Sequence, residues 1–432
     1  RYGPRTTSQV QDAVCRAAAD GGRLRVVGTG HSFNDIADTD GAQLSLLDLE
    51  RRIDLDEDAR CVTIDGGATY AQVNAVLAQR GWALENLASL PHITVAGAIA
   101  TATHGSGWER PSLASAVRSL THVTAAGELH TMTRGEPGFE HYPVHLGLFG
   151  PVVELILDVV PAFDIATTVY EGLEYDALVD HLDDLTRPLY SFSIAPDWSD
   201  GGRALLFAKR PRGVDAPAQL AGARAATSPR HPSPGADPVA VTEQLGVHGP
   251  SAERLTHFRS DFAPSVGDEV QSEYFVSRET VADALRALPR FADVFARLAH
   301  SMEIRAVAGD SLSASPFATG EMLAIHLTWR RDPDAVRREL PALEAALGHP
   351  RPHWGKLFTT GAAELDRRRD QPAPQQPGHR RPGQGRPDRP RGRSGRDDGG
   401  ADGRDGPDRP RPAAAGAAGK RPGRRRGAAG PG

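Results

Sequence analysis

The chain has 432 residues with 50 Lys+Arg against 55 Asp+Glu, enough length for two or three domains around a large core. Charge is unevenly spread: residues 361–432 hold 18 Lys+Arg and 9 Asp+Glu, which leaves an acidic body before them and argues against nucleic acid as the main partner. No apolar run reaches about 18 residues, no signal peptide is visible, and Cys15 and Cys61 fit no metal or disulfide pattern. The composition reads as a cytoplasmic protein without a membrane partner or a metal site.

In chain order, residues 10–19 have helical spacing and end at Gly21-Gly22. Strand-like runs follow at 24–27, 43–47 and 61–65, with Cys61 reading as core, and 69–79 is a second helix stopped by Gly81. Runs at 120–124, 128–132 and 152–160 are strand-rich with glycine turns between them. This alternation predicts an α/β or α+β domain over 1–160. A break falls near Pro161, and 161–340 reads as a second domain. It has strands at 189–194, 204–208 and 321–329, helices at 279–287 and 291–300, and a mobile Pro/Ala-rich loop over 211–238.

Two segments carry chemistry. In Arg25-Val26-Val27-Gly28-Thr29-Gly30-His31-Ser32-Phe33-Asn34 a strand runs into a Gly-Thr-Gly turn that ends on a histidine. Gly28 and Gly30 allow close backbone approach to a phosphate or ring. A dinucleotide fingerprint would need a third glycine where Phe33 stands, so the turn alone leaves a plain tight turn open. The second segment, 86–107, runs through small residues, hydroxyls and glycines. It can wrap a pyrophosphate through its backbone N–H groups, or pack as a small-residue strand on a helix.

Together with Asp65-Gly66-Gly67-Ala68, these segments resemble the flavin-binding domain of the vanillyl-alcohol oxidase superfamily. Within it the similarity is greatest to bacterial alditol oxidases and the related aldonolactone oxidoreductases. The motif from Gly28 to Ala37, Asn86-x-Ala88-Ser89-Leu90-Pro91-His92, Gln271-Ser272-Glu273-Tyr274, His326-Leu327-Thr328-Trp329 and His353-Trp354-Gly355-Lys356 agree in order and spacing, over 7–358.

The resemblance implies an α+β, two-domain flavoprotein: a PCMH-type FAD-binding domain over 1–160, an α+β substrate (cap) domain over 161–340, and a return segment over 341–360. It implies FAD, singly linked through His31 to the flavin 8α-methyl. The cofactor would be lined by Val26, Val27, Gly28, Thr29, Gly30, Ser32, Ser89, Thr94, Ala96, Gly97, Ala98, Ile99, Ala100, Gly147, Val152 and His353. Ala96-Gly97 would stand where oxygen arrives. The chain would act as a monomer on a small polyol with O2 as acceptor.

A polyol offers only hydroxyls, so its site needs many donors and acceptors. Glu303 and Arg305 alternate onto one face of a strand, as do His326 and Thr328; a structural ion pair is the other reading of Glu303 and Arg305. The resemblance groups Lys356, Arg305, Glu303 and His326 as catalytic, with Ser89 and Thr328 completing the substrate contacts. Lys356 and Arg305 would hold the terminal hydroxyl while its carbon gives hydride to flavin N5. Lys356 and His326 both stand as the base. Such an enzyme oxidises xylitol or sorbitol and releases hydrogen peroxide. The alternatives are an aldonolactone oxidase or dehydrogenase, with D-arabinono-1,4-lactone as one such substrate, and an inactive remnant. The last arises because no family-like continuation follows Phe358. Residues 361–432 read as a disordered Arg/Pro/Gly-rich tail, like a shifted reading frame.

Overall fold

Thr69 opens the helix Tyr70–Gln79 with a reciprocal cap: its hydroxyl accepts from the Gln72 amide at 3.4 Å, and the Gln72 side chain accepts from the Thr69 amide at 3.0 Å. Thr6 caps the helix Thr7–Ala19 through the Gln9 amide alone, while the Gln9 side chain accepts from the Arg5 amide at 2.7 Å. These elements belong to a computed structural model that describes residues 2–262 and 269–369, with side chains to residue 365.

A five-stranded antiparallel sheet runs in the order Ile53–Asp56, Cys61–Asp65, Val152–Asp158, Val117–Val123, Leu129–Thr133. The helices Tyr70–Gln79 and Val95–Ala100 pack on it through Val73, Leu77, Val95 and Ile99. Leu24–Val27 pairs in parallel with Ala42–Ser45. The turn at Asp65-Gly66 is held by close approach: a Cβ at Gly66 would stand 1.9 Å from the Val152 carbonyl oxygen.

A ten-stranded antiparallel sheet is built from the strands between Asp164 and Pro352. Three of them matter for the site: Glu269–Ser277, Met322–Arg330 and Ala299–Val307. Their register sets Glu273, His326 and Glu303 in one row and Gln271, Thr328 and Ser301 in the next. Side chains alternate along a strand. Tyr274, Ile325, Leu327, Met302 and Ile304 therefore face the core built with the helices Val281–Ala287, Ala292–Leu298 and Pro333–Ala346, and the polar set faces the other way.

Asp164–Leu173 and Glu269–Ser277 are strands that the sequence reading did not identify, because the sheet buries runs of consecutive residues in both and blurs the alternation. Several expectations are corrected. The helix expected over 291–300 ends at Leu298, and Ala299 opens a strand. Pro333–Ala346 is a helix across the boundary expected at 340; its cap was readable, since Asp332 accepts from the Ala335 amide at 2.9 Å and Pro333 stands at the first helical position. The loop expected over 211–238 contributes an edge hairpin, Gln219–Leu220 with Ala223–Ala225. Disorder expected from 361 is overturned for Ala362–Arg369, a helix rich in Ala, Arg, Glu and Leu; the rest of that tail lies outside the described residues. Among the described residues no helix is long and apolar enough to cross a membrane.

Candidate active site

The polar face of the large sheet forms a wall of a cleft of about 470 Å³. The same cleft is lined by Val26, Val27, Gly28, Thr29, Gly30, His31 and Ser32, by Ser89, Thr94, Ala96, Gly97, Ala98 and Ala100, and by Gly147, Val152 and His353. Ile99, expected at the cofactor, is corrected. It is 1% exposed and packs in the core of the smaller sheet. Along the helix Val95–Ala100 the i, i+4 pair Val95 and Ile99 turns inward, while Ala96 and Ala100 line the cleft.

Glycine is required at position 28, where a Cβ would stand 2.2 Å from Thr94 Oγ1. Beyond it the loop is tied to a distant turn. The Phe33 amide donates to the Gly355 carbonyl at 2.8 Å, and Asn34 Nδ2 donates to the carbonyls of Trp354 at 2.8 Å and Lys356 at 2.9 Å. His31 is exposed to the cleft. The protein wall around it disfavours its protonated form, and His92 adds to that.

Glu273 is the centre of the polar wall. It is 1% exposed, and Oε1 accepts from Arg305 at 2.8 Å and faces His104 Nε2 at 3.2 Å. Its Oε2 accepts from Lys356 Nζ at 2.8 Å. Burial opposes its charge, but Lys356, Arg305 and His104 hold the carboxyl well below the usual range. Sequence reasoning quoted Glu273 only as part of a motif and gave it and His104 no role; the buried charge within Gln-Ser-Glu-Tyr was the available signal.

Arg305 also donates to Ser89 Oγ at 3.1 Å, and its Nε lies 3.6 Å from Glu303 Oε2. Lys356 Nζ is 2.7 Å from His326 Nδ1, and His326 Nε2 is 3.2 Å from Thr328 Oγ1. Thus Ser89, Glu303, Arg305, His326, Thr328 and Lys356 share one cleft wall. Burial lowers the Lys356 pKa, Glu273 opposing and Arg305 adding. Burial likewise pushes His326 down to about 4, with Lys356 contributing. Behind Glu303 stand two groups the sequence did not flag. His257 Nε2 is 3.6 Å from Glu303 Oε2, and Lys209 is buried, with its pKa pulled down to about 7 by burial. Burial opposes the charge of Glu303, yet His257 and Arg305 hold it down at about 2.

Small residues and backbone N–H groups at one end of the cleft suit a phosphate-bearing cofactor. An orphaned polar atom supports the fit. His145 Nδ1 accepts from the Gly147 amide at 2.9 Å, while its buried Nε2 has no partner among the described residues and the residue lines the cleft. Residues 2–133 match the family described as an FAD binding domain. An alditol oxidase from a Streptomyces species is 41% identical over 371 residues, 84% of this chain and 88% of that one. The chain belongs to the alditol oxidase family.

An L-gulono-1,4-lactone dehydrogenase from Mycobacterium tuberculosis is 34% identical over 160 residues, 37% of each chain, which relates the alditol oxidase family to aldonolactone enzymes. Cholesterol oxidase from B. sterolicum shares the fold at a TM-score of 0.64 and 13% identity over 83% of each chain. This alditol oxidase relative therefore has a PCMH-type FAD-binding domain in a mixed α and β flavoprotein fold.

Proposed function

We propose that this chain is an FAD-dependent alditol oxidase that converts a terminal hydroxyl of a polyol such as xylitol or sorbitol to the aldehyde and reduces O2 to hydrogen peroxide. The observation that carries the reading is the wall organised by Glu273, where carboxylate, guanidinium, amine, imidazole and hydroxyl groups crowd one face. A substrate made only of hydroxyls needs such a face, and buried polar groups left unpaired by other compounds reject them. When bound, FAD supplies the hydride acceptor and the route to oxygen.

Arg305 and Lys356 hold the reacting oxygen and stabilise its developing charge from fixed positions in a dry site. Glu303, Ser89 and Thr328 take the hydroxyls further along. Both nitrogens of His326 are engaged within the protein, by Lys356 and Thr328, which favours Lys356 as the group that receives the hydroxyl proton. His31 is the residue assigned to covalent attachment, because it opens to the cleft from the glycine loop and its neutral ring is a nucleophile. The residues of 1–160 supply most of the cofactor side of the cleft and, through Ser89, part of the substrate side, while those of 161–340 and Lys356 supply the rest of the substrate wall.

The test is acid precipitation of the purified protein followed by anaerobic mixing with polyol. Flavin colour stays on the pellet and leaves with His31→Ala. Xylitol bleaches the flavin, and Lys356→Ala or Arg305→Ala slows bleaching about 100-fold or more. A flavin that ignores xylitol and sorbitol but is bleached by L-gulono-1,4-lactone overturns the substrate assignment.

A further inference from the structure

His104 lies behind the substrate wall, 3% exposed, and its two ring nitrogens face two acceptors. Nδ1 is 2.8 Å from the Gly105 carbonyl oxygen, and Nε2 is 3.2 Å from Glu273 Oε1. A neutral imidazole has one N–H and one lone pair. In this setting its lone pair would point at a carbonyl or a carboxylate, a buried repulsion with no water to relieve it. Only a ring with hydrogen on both nitrogens satisfies both neighbours. Around the ring, Phe275 and Phe317 meet it edge-on with centroids 5.3 and 5.6 Å away, and the His353 ring centroid is 6.3 Å away.

Lys356 shows the complementary arrangement. Its Nζ has two acceptors, Glu273 Oε2 at 2.8 Å and His326 Nδ1 at 2.7 Å. An uncharged amine has two N–H bonds and one lone pair, so both hydrogens are used and the lone pair is left for the cleft. The charged groups around the pair are Glu273, Arg305 and Glu303. Burial lowers the His104 pKa and Arg305 adds to that, while Glu273 and the Gly105 carbonyl oppose it, so the charged ring is favoured by its two acceptors and against its burial. Glu273 already faces the fixed cation Arg305 and, from the other side, His104. A third cation on one carboxylate is disfavoured by like-charge repulsion.

We propose that His104 is a resting imidazolium which, acting through Glu273, keeps Lys356 uncharged and ready to take the substrate proton. His104 is thus a positioning residue. In the step it serves, the hydroxyl O–H bond breaks and its proton goes to the Lys356 lone pair, while the oxygen keeps the electron pair that becomes the carbonyl as hydride departs. The same proton is later released to complete hydrogen peroxide. The inference rests on the alditol reading only for the identity of the reacting hydroxyl.

The experiment has two arms. The first is nitrogen-15 NMR of flavin-loaded protein labelled in histidine, recorded near pH 8 for the wild type and for His104→Gln. One ring protonated on both nitrogens in the wild type and absent from the variant supports the proposal; only neutral rings overturn it. The second arm follows the rate of flavin bleaching by xylitol against pH. Activity needs uncharged Lys356 and so rises with pH. Losing the neighbouring cation raises the Lys356 pKa, so the rising limb of His104→Gln moves up by about one pH unit with KM nearly constant. An unmoved limb with a uniform loss of rate overturns the proposal. If xylitol fails to bleach the flavin at all, the alditol reading falls while the NMR arm still decides the state of His104.

Discussion

Replacing Glu273 by leucine removes the acceptor shared by Arg305, Lys356 and His104 at 2.8, 2.8 and 3.2 Å. Lys356 already rests uncharged and His104 can shed its proton in response, but the guanidinium cannot lose its charge. Arg305 is left with Ser89 at 3.1 Å and Glu303 at 3.6 Å. Breaking a buried ion pair from one side costs about 3–5 kcal/mol, a large part of the stability of a domain. Urea unfolding of flavin-free protein at pH 7 measures it, with Glu273→Gln, which keeps one acceptor oxygen, falling between the two. The pH dependence checks the cause. The carboxyl is held well below its usual range in the folded protein. Its stabilisation is therefore complete above the unfolded value of about 4.3 and is lost as pH falls through the folded value. The gap between wild type and Glu273→Leu narrows as pH falls below about 4.3. A leucine variant within about 0.5 kcal/mol of wild type, or a gap that ignores pH, refutes the reasoning.

Gly28→Ala forces a methyl to 2.2 Å from Thr94 Oγ1; it lowers the flavin content of purified protein more than it lowers the unfolding midpoint, as absorbance per chain and urea titration report. Ile99→Val, a core truncation, costs about 1 kcal/mol in urea unfolding and leaves the flavin spectrum unchanged. Glu344 accepts from Tyr274 Oη, the Thr359 amide and the Thr359 hydroxyl, each at 2.8 Å. Glu344→Ala strands the buried phenol and destabilises by about 3 kcal/mol, read from the same titration.

The glycine loop and the 86–107 segment were legible because their chemistry is local: a close backbone approach is written in consecutive small residues. The grouping of Glu303 with Arg305, and of His326 with Thr328, followed from alternation along single strands. Glu273 was not legible in that way. Its role exists only because Glu269–Ser277 meets Met322–Arg330 in a register that brings Glu273 opposite His326, and no spacing within one strand encodes that pairing. Ile99 shows the opposite error: a contiguous run was read as one surface, whereas a helix divides it between core and cleft. Asp164–Leu173 escaped because a strand buried on both faces has no period to detect.

The ties from Phe33 and Asn34 to the turn at 354–356 span 320 and 322 positions for the two Asn34 bonds. The ribosome completes the glycine loop early and its partner very late. At about 5–20 residues per second the loop waits on the order of tens of seconds for that partner. The smaller sheet and its helices are complete by residue 158, but the cleft acquires its last wall only when residue 356 has emerged. Cofactor capture thereby waits until residue 356 has emerged.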